Sequence, residues 1–161
     1  MLKRQSGFRQ MIRRDRLIVQ SNICVLTQVQ EWFDQFCARY TTQLFWLKPQ
    51  LYPLSLALTE GFSNAVRHAH HDLPIETAIE IDLALWDDRF EIRIWDHGKP
   101  FDPNQLEEPK PGTLRQGGYG WFLLRRLADQ VLYERDGDER NCLLIVKYRA
   151  TPARSPACAT G

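Results

Sequence analysis

The sequence has almost no excess of charge of either sign, since 21 Lys and Arg residues face 20 Asp and Glu residues and the formal net charge is +1. A dedicated nucleic-acid binder usually carries a strong basic excess, so direct nucleic-acid binding is not expected. Cysteine is also scarce. The four cysteines form no CxxC pair, which argues against a metal site or a disulfide framework and favours a reducing compartment. We therefore expect a cytoplasmic protein.

Long apolar runs are missing too. No stretch approaches the roughly 20 apolar residues that a membrane-spanning helix needs, and no continuous apolar segment of the signal-peptide kind follows the basic N-terminus. No membrane partner is therefore expected. The length of 161 residues suits one compact domain, which we place at residues 16–148. Residues 1–15 are expected to be a basic, solvated arm, with a phosphate or partner contact as the alternative, and residues 149–161 a disordered tail.

The periodicity of apolar residues predicts the order of the secondary-structure elements. It indicates a strand at 16–25, helices at 26–40 and from Pro49 to about His70, a hairpin of 77–86 with 89–96, a helix from Trp121, and a hairpin of 131–135 with 141–148. Strands paired by hairpins, with helices grouped between them, are typical of α+β proteins. We expect a two-layer α/β sandwich whose mixed, mostly antiparallel sheet carries its helices on one face.

Three segments combine polar residues with a geometry that suits a ligand. The second predicted helix carries Glu60, Asn64 and His68, each four residues apart, which places them on one side of the helix beside its apolar stripe. In WDHGKPFD, Asp96 ends a strand, and a glycine two residues later lets the backbone approach a ligand. In GGYGWFLL, glycines precede a helix whose free N–H groups and dipole suit a phosphate.

Taken singly, such segments are more often plain turns, flexible links or solvated helix faces. Together and in this order, over roughly residues 16–148, they resemble the N, G1 and G2 boxes of the Bergerat-type (GHKL) ATP-binding fold of gyrase, certain chaperones, histidine kinases and MutL proteins. The pattern is most similar to the bacterial anti-sigma serine/threonine kinases of the RsbW and SpoIIAB type. The matching residues are Glu60, Asn64, Ala65 and His68; Asp96, Gly98, Phe101 and Asp102; Gly117, Gly118, Gly120, Leu123, Leu124, Leu127 and Asp129.

The resemblance implies a role for each matched position. Glu60 would be the catalytic base that accepts the proton of an attacking hydroxyl, and Asn64 would coordinate Mg²⁺ through its amide oxygen. Asp96 would accept from the exocyclic amine of adenine, Gly98 would let the chain pass beside the base, and residues 97–119 would form the ATP lid. The other ATP-binding residues that the resemblance implies are Phe101, Arg115, Gly117, Gly118, Tyr119 and Gly120. A solvated loop charge is an equal alternative for the arginine.

Four positions near these motifs carry further expectations. His68 matches the family pattern, and we expect it to pack or to hydrogen-bond rather than to act in catalysis. His70 and His71 lie at the predicted helix end and are expected to be exposed. Leu144 is expected near the position where many relatives carry a threonine that helps to hold adenine through water.

By resemblance, the chain is an anti-sigma factor with ATP-dependent protein serine/threonine kinase activity and uses ATP and Mg²⁺. It would phosphorylate a STAS-domain anti-anti-sigma protein, sequester a sigma factor by partner switching, and form a homodimer. The alternative is a non-catalytic ATP-binding module that switches protein partners, although the presence of Glu60 favours the enzyme. A histidine-kinase catalytic domain is disfavoured, because the sequence leaves no room for a dimerising helix pair with its phosphoacceptor histidine.

Overall fold

A five-stranded sheet forms one layer of the structure, a computed structural model that describes residues 9–106, 119–137 and 139–150. Its strands are β1 (Met11–Gln20), β2 (Ala78–Trp86), β3 (Arg89–Asp96), β4 (Gln130–Asp136) and β5 (Arg140–Tyr148). They lie in the order β1-β2-β3-β5-β4, and each of the four pairings among the described residues is antiparallel. The predicted α+β class with a mostly antiparallel sheet is confirmed.

Helices form the second layer. The described part of the chain contains α1 (Leu26–Ala38), α2 (Leu51–Asn64) and α3 (Tyr119–Leu127), with 3-10 turns at Ile23–Val25, Lys48–Gln50 and Pro103–Gln105. The core lies between the two layers, where Phe33 of α1, Phe62 of α2 and Phe90 of β3 are fully buried. Across the described residues, no helix is long and apolar enough to span a membrane.

The two predicted hairpins are present with nearly their predicted strands. In the first, Leu83 pairs with Ile92, and both side chains are fully buried because alternate residues face the helices. In the second, β4 and β5 are joined by a turn in which Gly137 adopts a φ of 64°. This left-handed conformation favours glycine.

The first strand was predicted at 16–25, which is too far toward the C-terminus. The strand runs from Met11 to Gln20, so it takes in part of the predicted N-terminal arm, and residues 23–25 form a 3-10 turn instead. The Asn22 side chain starts that turn by accepting a hydrogen bond from Cys24 N at 2.9 Å. Composition predicted a solvated basic arm because it cannot reveal the acidic partners of these arginines, which lie far away in the sequence.

Those partners lie on the open face of the sheet. Arg14 and Arg16 donate to the two carboxylate oxygens of Asp82 on β2, at 2.8 and 2.9 Å. Burial opposes ionisation of Asp82, but these two arginines outweigh it and hold the pKa of Asp82 below its ordinary value. Arg14 and Arg16 thus pair within the sheet.

Helix α2 lies close against the sheet at Gly61. A Cβ placed there would lie 2.6 Å from Ile94 Cδ1 and 3.0 Å from Leu143 Cδ2. After Asn64 the helix continues as a π-helical turn, Ala65–Ala69. The predicted helix length is nearly correct, but the wider last turn shifts later residues from the regular four-residue spacing.

Candidate functional site

A cavity of about 970 Å³ opens where the second half of α2 meets the end of β3 and the start of α3. The lining includes the predicted polar stripe of α2, the residues that follow β3, and the first turn of α3. Segments far apart in sequence therefore meet at one site. The predicted residues that line this cavity are Glu60, Asn64, His68, Asp96, Gly98, Phe101, Tyr119 and Gly120.

Glu60 and Asn64 converge on the backbone of Gly120. A Cβ placed at Gly120 would lie 3.1 Å from Glu60 Oε2 and 3.2 Å from both Asn64 Oδ1 and Nδ2. The four-residue spacing on α2 thus puts a carboxylate and an amide side by side, as expected. Because glycine has no side chain, the first turn of α3 can lie against both groups.

Asp96 marks the other end of the cavity and is 3% exposed. Its Oδ1 accepts hydrogen bonds from Gly98 N at 2.9 Å and from Asn141 Nδ2 at 2.8 Å. Its Oδ2 accepts one from the Tyr133 hydroxyl at 2.9 Å. The carboxylate is therefore fixed by donors from its own turn and from two other strands.

Gly98 lies directly against the π-helical turn. A Cβ placed there would lie 2.7 Å from Ala69 Cα and 2.8 Å from Ala69 C. These are backbone atoms that cannot rotate away. The position therefore needs glycine because of this close approach, and the turn after Asp96 is held tightly beside the helix.

Two residues that the sequence did not single out complete this end of the site. Asn141 is fully buried, and its Nδ2 also donates to Gly98 O at 3.1 Å. Arg135 donates to Asn141 Oδ1 at 3.1 Å and to Gly98 O at 3.2 Å. The register pairs Asp96 with Asn141 directly across β3 and β5. This pairing could not be predicted, because β3 and β5 are not consecutive in the chain and no hairpin turn sets their register.

Tyr133 was also missed. Burial raises the pKa of its hydroxyl, and the Asp96 carboxylate raises it further, so Tyr133 keeps its proton and acts as a donor. Its ring lies 5.2 Å from that of Phe101, which in turn meets Trp121 edge-on at 6.2 Å. These aromatic rings form an apolar wall beside Asp96 in the cavity.

Two of the three histidines near the π-helical turn, His68 and His70, differ from expectation. His68 is exposed at the cavity wall rather than packed. His71 is exposed, as predicted, but His70 is only 3% exposed, because the wider turn carries it inward. His70 Nε2 accepts from His97 N at 2.8 Å. Burial lowers the pKa of His70, which favours the neutral form that this hydrogen bond requires.

The residue of β5 that borders the cavity is the neighbour of Leu144. Leu143 faces α2 and lines the cavity, whereas Leu144 pairs with Arg93 on the opposite face of the sheet. A shift of one residue along a strand reverses the face. Leucine at either position offers no hydroxyl to a base.

Several predicted residues cannot be placed. Arg115, Gly117, Gly118 and most of the predicted lid at 97–119 lie outside the described residues, as do residues 151–161 of the predicted tail and residues 1–8 of the predicted arm. Their roles stay predictions.

The sequence matches a known domain family. The model of the histidine kinase-like ATPase domain covers residues 25–147 of the chain. Since this is most of its length, the chain belongs to that family, and membership implies ATP binding. The open antiparallel sheet with its helical layer agrees with the same family.

Among curated proteins, the chain is similar to the serine-protein kinase RsbW of Oceanobacillus iheyensis, with 38% identity over 87 residues that make up 48% of this chain and 54% of that protein. The serine-protein kinase RsbW of Staphylococcus epidermidis is 32% identical over 101 residues, covering 57% of this chain and 64% of that protein. The chain thus spans between half and two thirds of these relatives.

A solved structure shows the same fold. The RsbU and RsbW domains of a Mycobacterium tuberculosis protein align with a TM-score of 0.60 over 88% of this chain and 34% of that chain. At 14% sequence identity, this similarity shows the architecture alone.

Proposed function

We propose that the chain is an anti-sigma factor with ATP-dependent protein serine/threonine kinase activity. It binds ATP with Mg²⁺, phosphorylates a STAS-domain anti-anti-sigma protein, sequesters a sigma factor by partner switching, and acts as a homodimer. Similarity to the RsbW kinases supports this proposal. The observation that carries the chemistry is the convergence of Glu60 and Asn64 on the backbone of Gly120.

The two ends of the cavity suit the two ends of ATP. Asp96 is a buried acceptor beside an apolar aromatic wall, which fits a purine ring with an exocyclic amine. The first turn of α3 lies against Glu60 and Asn64 at Gly120, and the free N–H groups and positive dipole end at the start of a helix favour phosphate. ATP would then lie along α2, from the π-helical turn toward Glu60.

Asn64 is the described residue that best fits Mg²⁺. Its amide oxygen is a hard ligand of the kind that the cation prefers, and it lies where the phosphates would bind. Among the described residues, no group of three or more His, Cys, Asp and Glu side chains could hold a metal ion, so ATP phosphates and water would complete the coordination. When bound, Mg²⁺ would neutralise charge on the transferred phosphoryl group.

Glu60 is placed to act as the base. It lies one helical turn from Asn64, lines the cavity and is partly exposed, so an incoming hydroxyl can reach it. As the hydroxyl oxygen bonds to the γ-phosphorus, its proton would pass to Glu60 while the bond to the β-γ bridging oxygen breaks. Phosphoryl transfer depends mainly on positioning and charge stabilisation, so few side chains are needed.

Glu60→Gln separates catalysis from binding. The amide nearly keeps the size of the carboxylate but cannot accept the proton, so transfer should fall by about 100- to 10,000-fold while ATP affinity is retained. Single-turnover transfer of labelled phosphate to the STAS-domain protein from the same genome measures this loss. Asn64→Ala should instead weaken binding of Mg·ATP, measured by calorimetry.

The same experiment tests the alternative. If the wild-type chain binds ATP and the STAS-domain protein but transfers no phosphate, the kinase assignment is wrong and a non-catalytic ATP-binding module replaces it. Asp96→Asn tests the nucleotide assignment itself. The change replaces one acceptor oxygen by a donor, which should weaken ATP binding by on the order of 1–3 kcal/mol.

A further inference from the structure

The Asp96 carboxylate has few acceptor positions left for a ligand. An ionised carboxylate offers about four lone-pair positions, two on each oxygen. Gly98 N and Asn141 Nδ2 occupy those of Oδ1, and the Tyr133 hydroxyl occupies one of Oδ2. One position on Oδ2 therefore remains for a group that enters the cavity.

Neither side-chain donor is free to move away. Asn141 is fully buried and is held at both ends of its amide, since Nδ2 also donates to Gly98 O and Oδ1 accepts from Arg135. The Tyr133 ring is packed against Phe101 at 5.2 Å. The number of open positions on Asp96 is thus a fixed property of the site.

The number of open acceptor positions on Asp96 determines which purine base it can pair with. Adenine presents a single exocyclic amine to such an acceptor. Guanine presents two adjacent donors, the ring N1–H and the 2-amino group, together with a carbonyl oxygen that a carboxylate repels. A carboxylate pairs well with guanine when two neighbouring acceptor positions are open, and this one has a single open position.

We propose that Tyr133 and Asn141 are specificity-determining positioning residues, which restrict Asp96 to one acceptor position and thereby select adenine over guanine. The inference rests on the proposed nucleotide site and goes beyond it, because it assigns base selection to residues on β4 and β5 rather than to Asp96 alone. Removing one donor should open the site to guanine.

Tyr133→Phe is the sharpest test. It deletes the hydroxyl and keeps the ring, so Oδ2 gains a second open position beside the first. The matched control is Tyr148→Phe, which deletes a hydroxyl that donates to Gln130 outside the cavity. Calorimetric titration of the full chain and of both variants with ATP, GTP and ITP, each with Mg²⁺, gives the affinities.

We expect the wild-type chain and Tyr148→Phe to prefer ATP over GTP by more than about tenfold, roughly the effect of one hydrogen bond. In Tyr133→Phe this preference should fall by at least about tenfold. ITP lacks the 2-amino group and should gain less than GTP. A purely structural role for Tyr133 would weaken all three nucleotides together and leave their ratios unchanged.

Three results would count against the inference. An unchanged ATP-to-GTP ratio in a folded Tyr133→Phe variant overturns the role of Tyr133, and a wild-type chain that binds ATP and GTP equally overturns base selection at this site. Either of these two results would leave the proposed nucleotide site itself standing. A wild-type chain that binds no nucleotide overturns the proposed site, and the inference with it. Asn141→Ser, which shortens the donor to Oδ1, should lower the ratio in the same direction.

Discussion

Gly98→Ala is expected to be the most damaging glycine substitution in the described fold. The new methyl group would lie 2.7 Å from Ala69 Cα and 2.8 Å from Ala69 C, whereas carbon atoms in contact are normally about 3.5–4.0 Å apart. The turn after Asp96 and the π-helical turn would therefore have to separate by about 1 Å. Neither can do so by a change of rotamer, because both atoms belong to the backbone.

The size of the effect follows from what that separation disturbs. Overpacking of a rigid contact costs about 1–3 kcal/mol. The same displacement would stretch the hydrogen bond from His97 N to His70, now 2.8 Å, or that from Asn141 to Gly98 O, now 3.1 Å, at about 1 kcal/mol for each bond lost. We expect a loss of about 2–4 kcal/mol in the free energy of unfolding.

Two other glycines provide controls, and urea unfolding provides the assay. At Gly61 a methyl group would meet only side-chain ends, Ile94 Cδ1 at 2.6 Å and Leu143 Cδ2 at 3.0 Å, and the higher helix propensity of alanine offsets part of the cost. At Gly137 it would meet nothing within 4 Å but would sit at a φ of 64°, which costs about 1 kcal/mol.

Gly98→Ala should therefore lower the urea midpoint more than Gly61→Ala or Gly137→Ala. It should also weaken ATP binding, because the displaced turn carries Asp96. A Gly98→Ala protein as stable as the Gly61→Ala protein would show that the two turns are not in rigid contact, and the argument for this position would fail.

Two further predictions concern the opposite end of the cavity and the buried histidine. Gly120→Ala should leave stability unchanged or raise it by up to about 1 kcal/mol through helix propensity. It should nevertheless weaken ATP binding about tenfold, because its methyl group would lie 3.1 Å from Glu60 Oε2. Unfolding and calorimetry on the same sample measure both effects, and an unchanged affinity would contradict the phosphate assignment. Burial lowers the pKa of His70 in the folded state, so its contribution to stability should be complete above the unfolded pKa of about 6.5 and decrease below it by up to about 1.4 kcal/mol per pH unit. His70→Gln, which can still accept from His97 N, should flatten this part of the stability profile between about pH 7.5 and 5.5, and an identical slope would show that another group is responsible.

Sequence predicted most reliably what depends on neighbours in the chain. The spacing of Glu60 and Asn64 placed both on one side of a helix because helical geometry is local, and strand alternation gave both hairpins. The partners of Asp96 could not be found in this way, since Asn141 and Tyr133 reach it through the register of β3, β5 and β4.

The predictions of where β1 begins and of an exposed His70 were wrong for related reasons. Composition marks arginines before residue 16 as a solvated arm, but Arg14 has a carboxylate partner on β2, 68 residues away in the sequence. A regular α-helix would leave the residues at its end exposed, whereas the π-helical turn rotates His70 inward. Such turns arise from tertiary packing and functional constraint, for which a single sequence offers no periodic signal.

The two ends of the cavity are built in opposite ways, and this difference has a functional consequence. At Asp96, buried groups hold one another in a connected network, so the base site is formed before a ligand arrives and contributes to the stability of the fold. Near Gly120, within the described residues, the side chains of Glu60 and Asn64 have no hydrogen-bond partner, so they are available to phosphates, a cation and a hydroxyl. Groups held ready for a ligand in this way contribute little to folding and often reduce stability. Substitutions at the base end should therefore reduce stability and affinity together, whereas those at Glu60 and Asn64 should affect binding or catalysis and leave the fold unchanged or more stable.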